Sequence, residues 1–160
     1  MTRRTRKFLF DNTTGTVYSN INSVSQASAA NISAGISPKI LKTTIAAPGR
    51  PIVIVNGNKP ISFGREVIIN NITLVVTDKL GVTSSTAAPQ GSSITVRLRK
   101  VTSAGAVSTL GTYSISSNGT TSSTAASFTI ASTDSLFFDV TGIGSTKPGL
   151  GLSVTTSFFG

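Results

Sequence analysis

Few residues in this sequence could do acid–base or metal chemistry. The chain has no His and no Cys, so the commonest general base and the thiolate metal ligand are both missing. Two carboxylates could still meet in space, as the paired carboxylates of glycosidases do. Asp78 and Asp134, however, lie at predicted strand ends, where Asp commonly forms turn hydrogen bonds, and this favours a structural role. No two acidic residues are close in sequence; they are Asp11, Glu66, Asp78, Asp134 and Asp139.

Nucleophilic catalysis and ligand binding have equally little support in the sequence. A Ser nucleophile would need Lys as its base, and with 24 Ser in the chain such neighbours arise by chance. The loop at 142–147, GIGSTK, lacks the Gly-Lys-Ser/Thr order of a phosphate-binding loop and opens a predicted strand rather than a helix. The acids also lack the spacing of a calcium-binding loop. We therefore predict a protein that is not an enzyme and that uses no metal or cofactor.

The composition and the periodicity favour an all-β fold. Ser and Thr account for 48 of the 160 residues, and no long stripe of apolar residues has the helical period of 3.6. Short apolar or alternating runs recur at the spacing typical of sandwiches. The predicted architecture is an antiparallel β-sandwich, jelly-roll-like, with an extended N-terminal arm. Its predicted strands are 51–55, 67–77, 94–99, 110–116, 126–132, 136–141 and 152–159.

Two of these strands carry further predictions. In 67–77, Ile68 is expected on one face with Ile72, Leu74 and Val76, and Asn70 and Asn71 interrupt midway, where a bulge would fit. In 94–99, the alternation places Arg97 and Arg99 together on the outer face. A solvated strand face is favoured there over a binding site.

The first 49 residues differ from the rest, so we predict an arm at 1–49 and a sandwich domain at 50–160. Residues 1–50 carry seven Lys/Arg and one Asp, which is most of the net charge of +9. A basic cluster can bind an acidic protein surface or nucleic acid, or remain solvated. Phe8 and Phe10 could stack bases or enter a groove of another protein, and the groove is favoured. The predicted partner-binding residues are Arg3, Arg4, Arg6, Lys7, Phe8 and Phe10.

No membrane association is expected. The chain contains no run of 18 apolar residues, and polar residues 11–14 follow the basic start, where a secretory signal would continue with an apolar segment. Synthesis and folding in a cytosol are the expectation. A small sandwich without disulfides gains stability by burying further strand faces against copies of itself, and we predict a homotrimer. Clustered exposed aromatics commonly mark interfaces. The predicted self-association residues are Phe137, Phe158 and Phe159.

Two stretches between Ser93 and Phe159 read "SSITVRLRK" and "DSLFFDVTGIGSTKPGLGLSV". The segment that contains them resembles small β-sandwich modules in the virion proteins of tailed bacteriophages, and the resemblance covers less than half of the chain. The short chain with a basic arm is most similar to capsid decoration (cement) proteins. This resemblance implies a subunit on the outer capsid surface that clamps neighbouring major capsid proteins and stabilises the head.

The same modules occur in other parts of such particles, so an alternative remains open: a tail, baseplate or receptor-binding module that recognises the host surface. A glycan site usually uses exposed Trp and Tyr, but the chain has no Trp and only Tyr18 and Tyr113. Nucleic acid is an unlikely partner, because no platform of basic and aromatic residues is visible in the sandwich domain. The major capsid protein is the expected partner.

Overall fold

Seven β-strands and no helix are found in the residues that the computed structural model of the chain describes, which are 38–57 and 60–160. Most of the strands are short segments of alternating or continuously apolar residues that end in a loop rich in Gly, Pro, Ser or Thr. The all-β prediction is confirmed. The strands are β1 (Lys39–Thr44), β2 (Val67–Val76), β3 (Ile94–Val101), β4 (Val107–Ile115), β5 (Thr121–Ile130), β6 (Ser135–Gly142) and β7 (Leu152–Phe159).

The strands form two antiparallel sheets that pack against each other as a sandwich. The first sheet has the order β1-β7-β2-β5, and the second has the order β4-β3-β6. A segment that begins at Pro51 and ends at Ile61 reaches the free edge of β6, where Val55 makes an isolated antiparallel bridge with Val140 and Ile61 makes another with Leu136. When this segment is counted as an incomplete eighth strand, the sheets have the interleaved strand order of a jelly roll.

Apolar side chains from both sheets fill the space between them. Alternate residues of β3 and β6 point inward, and the inward residues of β2 and β7 meet them from the opposite sheet. Burial of one such side chain stabilises the fold by roughly 1.5–3 kcal/mol. The fully buried members include Ile69, Ile72, Leu74, Ile94, Val96, Leu98, Leu136, Phe138, Val140, Leu152 and Val154.

The predicted bulge in β2 is present, but it reverses the expected facing of Ile68. The pairing register shifts between Ile69 and Asn71 against both neighbouring strands. The extra residue changes the side-chain parity, so Ile69 rather than Ile68 shares the inner face with Ile72. Ile69 is fully buried, whereas Ile68 is 48% exposed on the outer face. The prediction that Ile68 shares a face with Ile72, Leu74 and Val76 is therefore wrong.

The segment at 51–55 is not the regular strand that its apolar run indicated. Only Pro51 and Val55 form bridges, and Val53 and Ile54 are more than half exposed. Pro51 has no backbone N–H to donate to a ladder, and the segment lies at the edge of a sheet, where one of its sides has no neighbour. Ile52 is the member of this run that reaches the core.

Strand β1 lies inside the segment that the sequence assigned to the arm. It pairs with β7 over six residues, from Lys39 opposite Phe158 to Thr44 opposite Ser153. Its sequence, KILKTT, gave little indication of a strand, because Leu41 is its only residue that packs against the core. The pairing with β7, rather than an apolar face of its own, holds this strand in place. Residues 38–49 are thus part of the described fold.

Candidate functional site

The most completely buried acidic side chain in the described part of the chain is Asp139. It lies on the outer face of β6, opposite Arg97 of the neighbouring strand β3. Its exposed fraction is nevertheless 0%, because Arg97, Arg99 and the backbone at Gly57 surround its carboxylate. We call this group of four residues the Asp139 clamp.

Both oxygens of Asp139 are occupied by donors. Arg99 binds the carboxylate with two nitrogens, Nη2 at 2.8 Å from Oδ1 and Nε at 2.6 Å from Oδ2. The backbone N–H of Gly57 donates to Oδ1 at 2.6 Å, and Arg97 Nε donates to Oδ2 at 2.8 Å. The guanidinium of Arg99 also lies 5.6 Å from the ring centroid of Phe137, at the distance of a cation–π contact.

The clamp fixes Asp139 in its ionised form. Burial raises the pKa of this carboxyl, but the hydrogen bonds from Arg99, Gly57 and Arg97 outweigh burial and lower the pKa to about 2. A carboxylate with so low a pKa is a poor proton carrier near neutral pH. Its geometry fits a structural role, which is to tie residues 56–57 to β3 and β6. Arg97 and Arg99 are therefore neither a simple solvated face nor a free binding site.

The turn hydrogen bonds expected for Asp78 and Asp134 are present. Asp78 accepts hydrogen bonds from the N–H groups of Leu80 and Val82 and from the hydroxyl of Ser84, which shapes the loop after β2. The hydrogen bond from Leu80 is the largest cause of a lowered pKa at Asp78. Asp134 accepts from the N–H of Ala131 in the turn before β6.

Neither a metal centre nor a membrane-spanning helix is found within 38–57 and 60–160. No three side chains of the types His, Cys, Asp or Glu lie together there in a group that could hold an ion. No helix in those ranges is long and apolar enough to cross a membrane.

The three predicted self-association residues have different environments. Phe158 is 7% exposed and packs edge-on against Phe63 in the core, with ring centroids 4.8 Å apart. Its ring therefore does not belong to an exposed aromatic cluster, which was the basis of its predicted role in self-association. Phe137 is half-buried beneath Arg99, and Phe159 is half-buried on the outer face of the first sheet. The adjacent residues 158 and 159 point to opposite faces because side chains alternate along a strand.

Phe159 belongs to an apolar patch that the sequence analysis only partly anticipated. It lies directly opposite Ile68 of β2, and Ile40 of β1 pairs with Ser157, two residues before Phe159 on the same outer face. Ile40 is 62% exposed. We call Ile40, Ile68 and Phe159 the outer-sheet patch. The sequence pattern did not predict the whole patch, because the bulge in β2 turns Ile68 to the outer face.

The predicted arm contacts cannot be compared with this geometry, because Arg3, Arg4, Arg6, Lys7, Phe8 and Phe10 all lie outside the described residues.

Comparison with known proteins does not assign the chain to a family. No protein-family model matches its sequence. No curated protein matches it either.

Proposed function

We propose that this chain is a virion structural protein without enzymatic activity, a capsid decoration (cement) subunit that binds neighbouring major capsid proteins and stabilises the head. The observation that supports it best is that the buried and loop carboxylates make hydrogen bonds that hold the backbone in place. Asp78, Asp134 and Asp139 each hold a loop, a turn or an edge segment in place through hydrogen bonds. These carboxylates thus stabilise the shape of the sandwich, and we propose that the domain contacts its partner through its surface.

The outer-sheet patch is the surface that we assign to the major capsid protein, and this assignment replaces the predicted role of Phe159 in self-association. Ile40, Ile68 and Phe159 form an apolar group on an otherwise Ser- and Thr-rich face, and Lys42 follows Ile40 on the same side of β1. Burying each of these side chains in a complex would contribute up to roughly 1.5–3 kcal/mol. An acidic rim on the partner would complement the lysine and orient the docking.

The arm supplies the second part of the proposed attachment. Arg3, Arg4, Arg6 and Lys7 would steer the arm to an acidic surface, while exposed charge pairs contribute only about 0–1 kcal/mol each. Phe8 and Phe10 would anchor it in a groove of the adjacent subunit, because buried aromatic side chains contribute more. In this proposal the chain acts as a homotrimer on the outer capsid surface after synthesis in the host cytoplasm.

The direct test is to locate the protein in purified particles and to measure its binding to heads that lack it. Labelled full-length chain should co-sediment with heads and raise the temperature at which they rupture. Ile40→Ser combined with Ile68→Ser should weaken co-sedimentation at least tenfold, whereas Thr44→Ser on the same strand should leave it unchanged. Labelling confined to the tail tip, or no association with heads at all, would reject the proposal.

A shell subunit is a second candidate, and the strand order favours it. A jelly roll with two interleaved sheets is an architecture of viral capsid domains, although fold alone does not determine function. In that role the basic residues 3–7 would face the packaged nucleic acid instead of a protein. Purified chain that assembles into closed shells by itself, with RNA or DNA retention that falls steeply with salt, would support this candidate over the decoration role.

A further inference from the structure

The charges of this chain are distributed unevenly along its sequence. Residues 101–133 contain no Lys, Arg, Asp or Glu, although the chain has 14 Lys/Arg and five Asp/Glu elsewhere. This interval begins at the last residue of β3 and includes all of β4, all of β5 and the loop that joins them. Surface strands normally carry scattered charges for solubility, so a long uncharged interval on the surface needs a reason.

The fold brings the two uncharged strands to one side of the sandwich. β4 is the terminal strand of the second sheet, β5 is the terminal strand of the first, and the two contact each other. Most residues of both strands are exposed or half-buried. We call the surface formed by β4, β5 and their joining loop the uncharged side.

The opposite side of the sandwich is protected in the usual ways. Its edge strand β1 carries Lys39 and Lys42, and the segment along β6 contains Pro51 and Pro60. Lysines and prolines at sheet edges discourage pairing with other chains. Neither device is present on the uncharged side. The opposite side therefore carries lysines and prolines that disfavour pairing with another chain, and the uncharged side does not.

We propose that the uncharged side is the surface through which copies of this chain associate. Residues 38–160 carry ten Lys/Arg and four Asp/Glu, so two copies repel each other over most of their surfaces. At the uncharged side no like charges are brought together. An acidic partner, by contrast, would be attracted to the basic remainder of the surface. The occupant of the uncharged side is a further copy of the same chain.

Backbone irregularities on this side favour a closed assembly over an open fibre. Leu110 is an extra residue in β4, since Leu98 pairs with Gly111 and Arg99 with Thr109. In β5, Ala126 and Ser127 together lie opposite a single residue of β2. Such bulges bend an edge and interrupt its row of free amide groups, which limits indefinite strand pairing. Side-chain contacts with Ser, Thr and Ala would then hold the copies together.

The experiment measures the mass of the purified full-length chain by light scattering and sedimentation velocity at about 100 µM. We expect more than one copy per particle in 0.15 M salt and no loss of mass in 1 M salt, because an uncharged contact is not weakened by screening. Ala125→Lys on β5 and Ser114→Lys on β4 place a cation on the uncharged side. At least one of them should weaken self-association tenfold or more.

The matched control is Thr44→Lys, which adds the same charge to an exposed position of β1 and should retain the wild-type mass. A thermal melt by circular dichroism checks that each variant is folded. A wild-type chain that is monomeric at this concentration, or lysine variants whose mass equals that of the wild type, would overturn the inference. It rests on the self-association in the proposed function, but the measurement uses no capsid particles. Copies that associate without binding heads would reject only the decoration role.

Discussion

Replacing Asp139 with Asn tests whether the clamp holds the incomplete eighth strand in place. The change keeps the side-chain volume but removes the charge that Arg97, Arg99 and the Gly57 N–H share. The pKa of Asp139 falls from its ordinary 3.8 to about 2 in the folded protein. At 1.36 kcal/mol per pKa unit, this shift corresponds to about 2 kcal/mol of stability near neutral pH.

The expected cost of Asp139→Asn is therefore about 2–4 kcal/mol, since breaking a buried ion pair costs roughly 3–5 kcal/mol. The lower part of that range is favoured because Arg97 keeps 38% of its side chain exposed and can be solvated. Urea unfolding at pH 7, followed by circular dichroism, gives the free energy of unfolding. Glu66→Gln removes one negative charge from an exposed position and should change that free energy by less than about 0.5 kcal/mol.

The clamp also predicts how the free energy of unfolding depends on pH, and the same variant tests this. The folded-state pKa of Asp139 lies below the unfolded value, so its contribution is present above about pH 4 and is lost as the pH falls through 2. The difference between wild type and Asp139→Asn should shrink over that interval. If the difference stayed constant from pH 6 to pH 2, or matched that of Glu66→Gln, the clamp would not be the source of the stability.

Three further changes probe the rest of the fold. Phe158→Ala should cost about 3–5 kcal/mol in urea unfolding, because its ring is in the core; a cost below about 1 kcal/mol would place the ring at the surface. Gly151→Ala should severely destabilise the fold, because Gly151 has a φ of +60° and its added Cβ would overlap Thr77 O. The control Gly81→Ala meets no neighbour and should cost about 1 kcal/mol. Equal melting temperatures for the two variants would contradict this prediction. A chain covering 38–160 should fold, and one covering 50–160 should melt lower because β7 loses its pairing with β1; equal melting would show that β1 is dispensable.

The sequence predicted most of the strands because their periodicity records burial directly. Ile94, Val96 and Leu98 alternate with polar residues and are fully buried, as their spacing indicated. The same rule could have shown that Phe158 and Phe159 are not both exposed. Residues 158 and 159 are neighbours in a strand, so only one of the two rings can face outward. The run of Leu152 and Val154 at even positions already placed Phe158 on the inner side.

Other features needed strand registers that no local pattern contains. Asp139 alternates with buried residues of β6 and by itself looks like an ordinary outer-face residue. Its burial and its ion pairs depend on the pairing of β6 with β3, which places it opposite Arg97, 42 residues earlier in the chain. The strand β1 was missed for a related reason. Its stability comes from hydrogen bonds to β7, and a pattern of apolar residues does not report them.

The clamp explains why a chain with so few acidic residues buries one of them completely. In the described residues between 51 and 61, two bridges to β6 are present, through hydrogen bonds of 2.8–3.1 Å between Val55 and Val140 and of 2.9 Å between Ile61 and Leu136. Each backbone hydrogen bond contributes only about 0.5–1.5 kcal/mol net, while ordering each residue costs about 1–2 kcal/mol. The bridges alone therefore cannot order the segment. Burial of Ile52, its backbone hydrogen bond to Gly149 and the bond from Gly57 to Asp139 supply further stabilisation, so the buried carboxylate of Asp139 helps to complete the jelly roll.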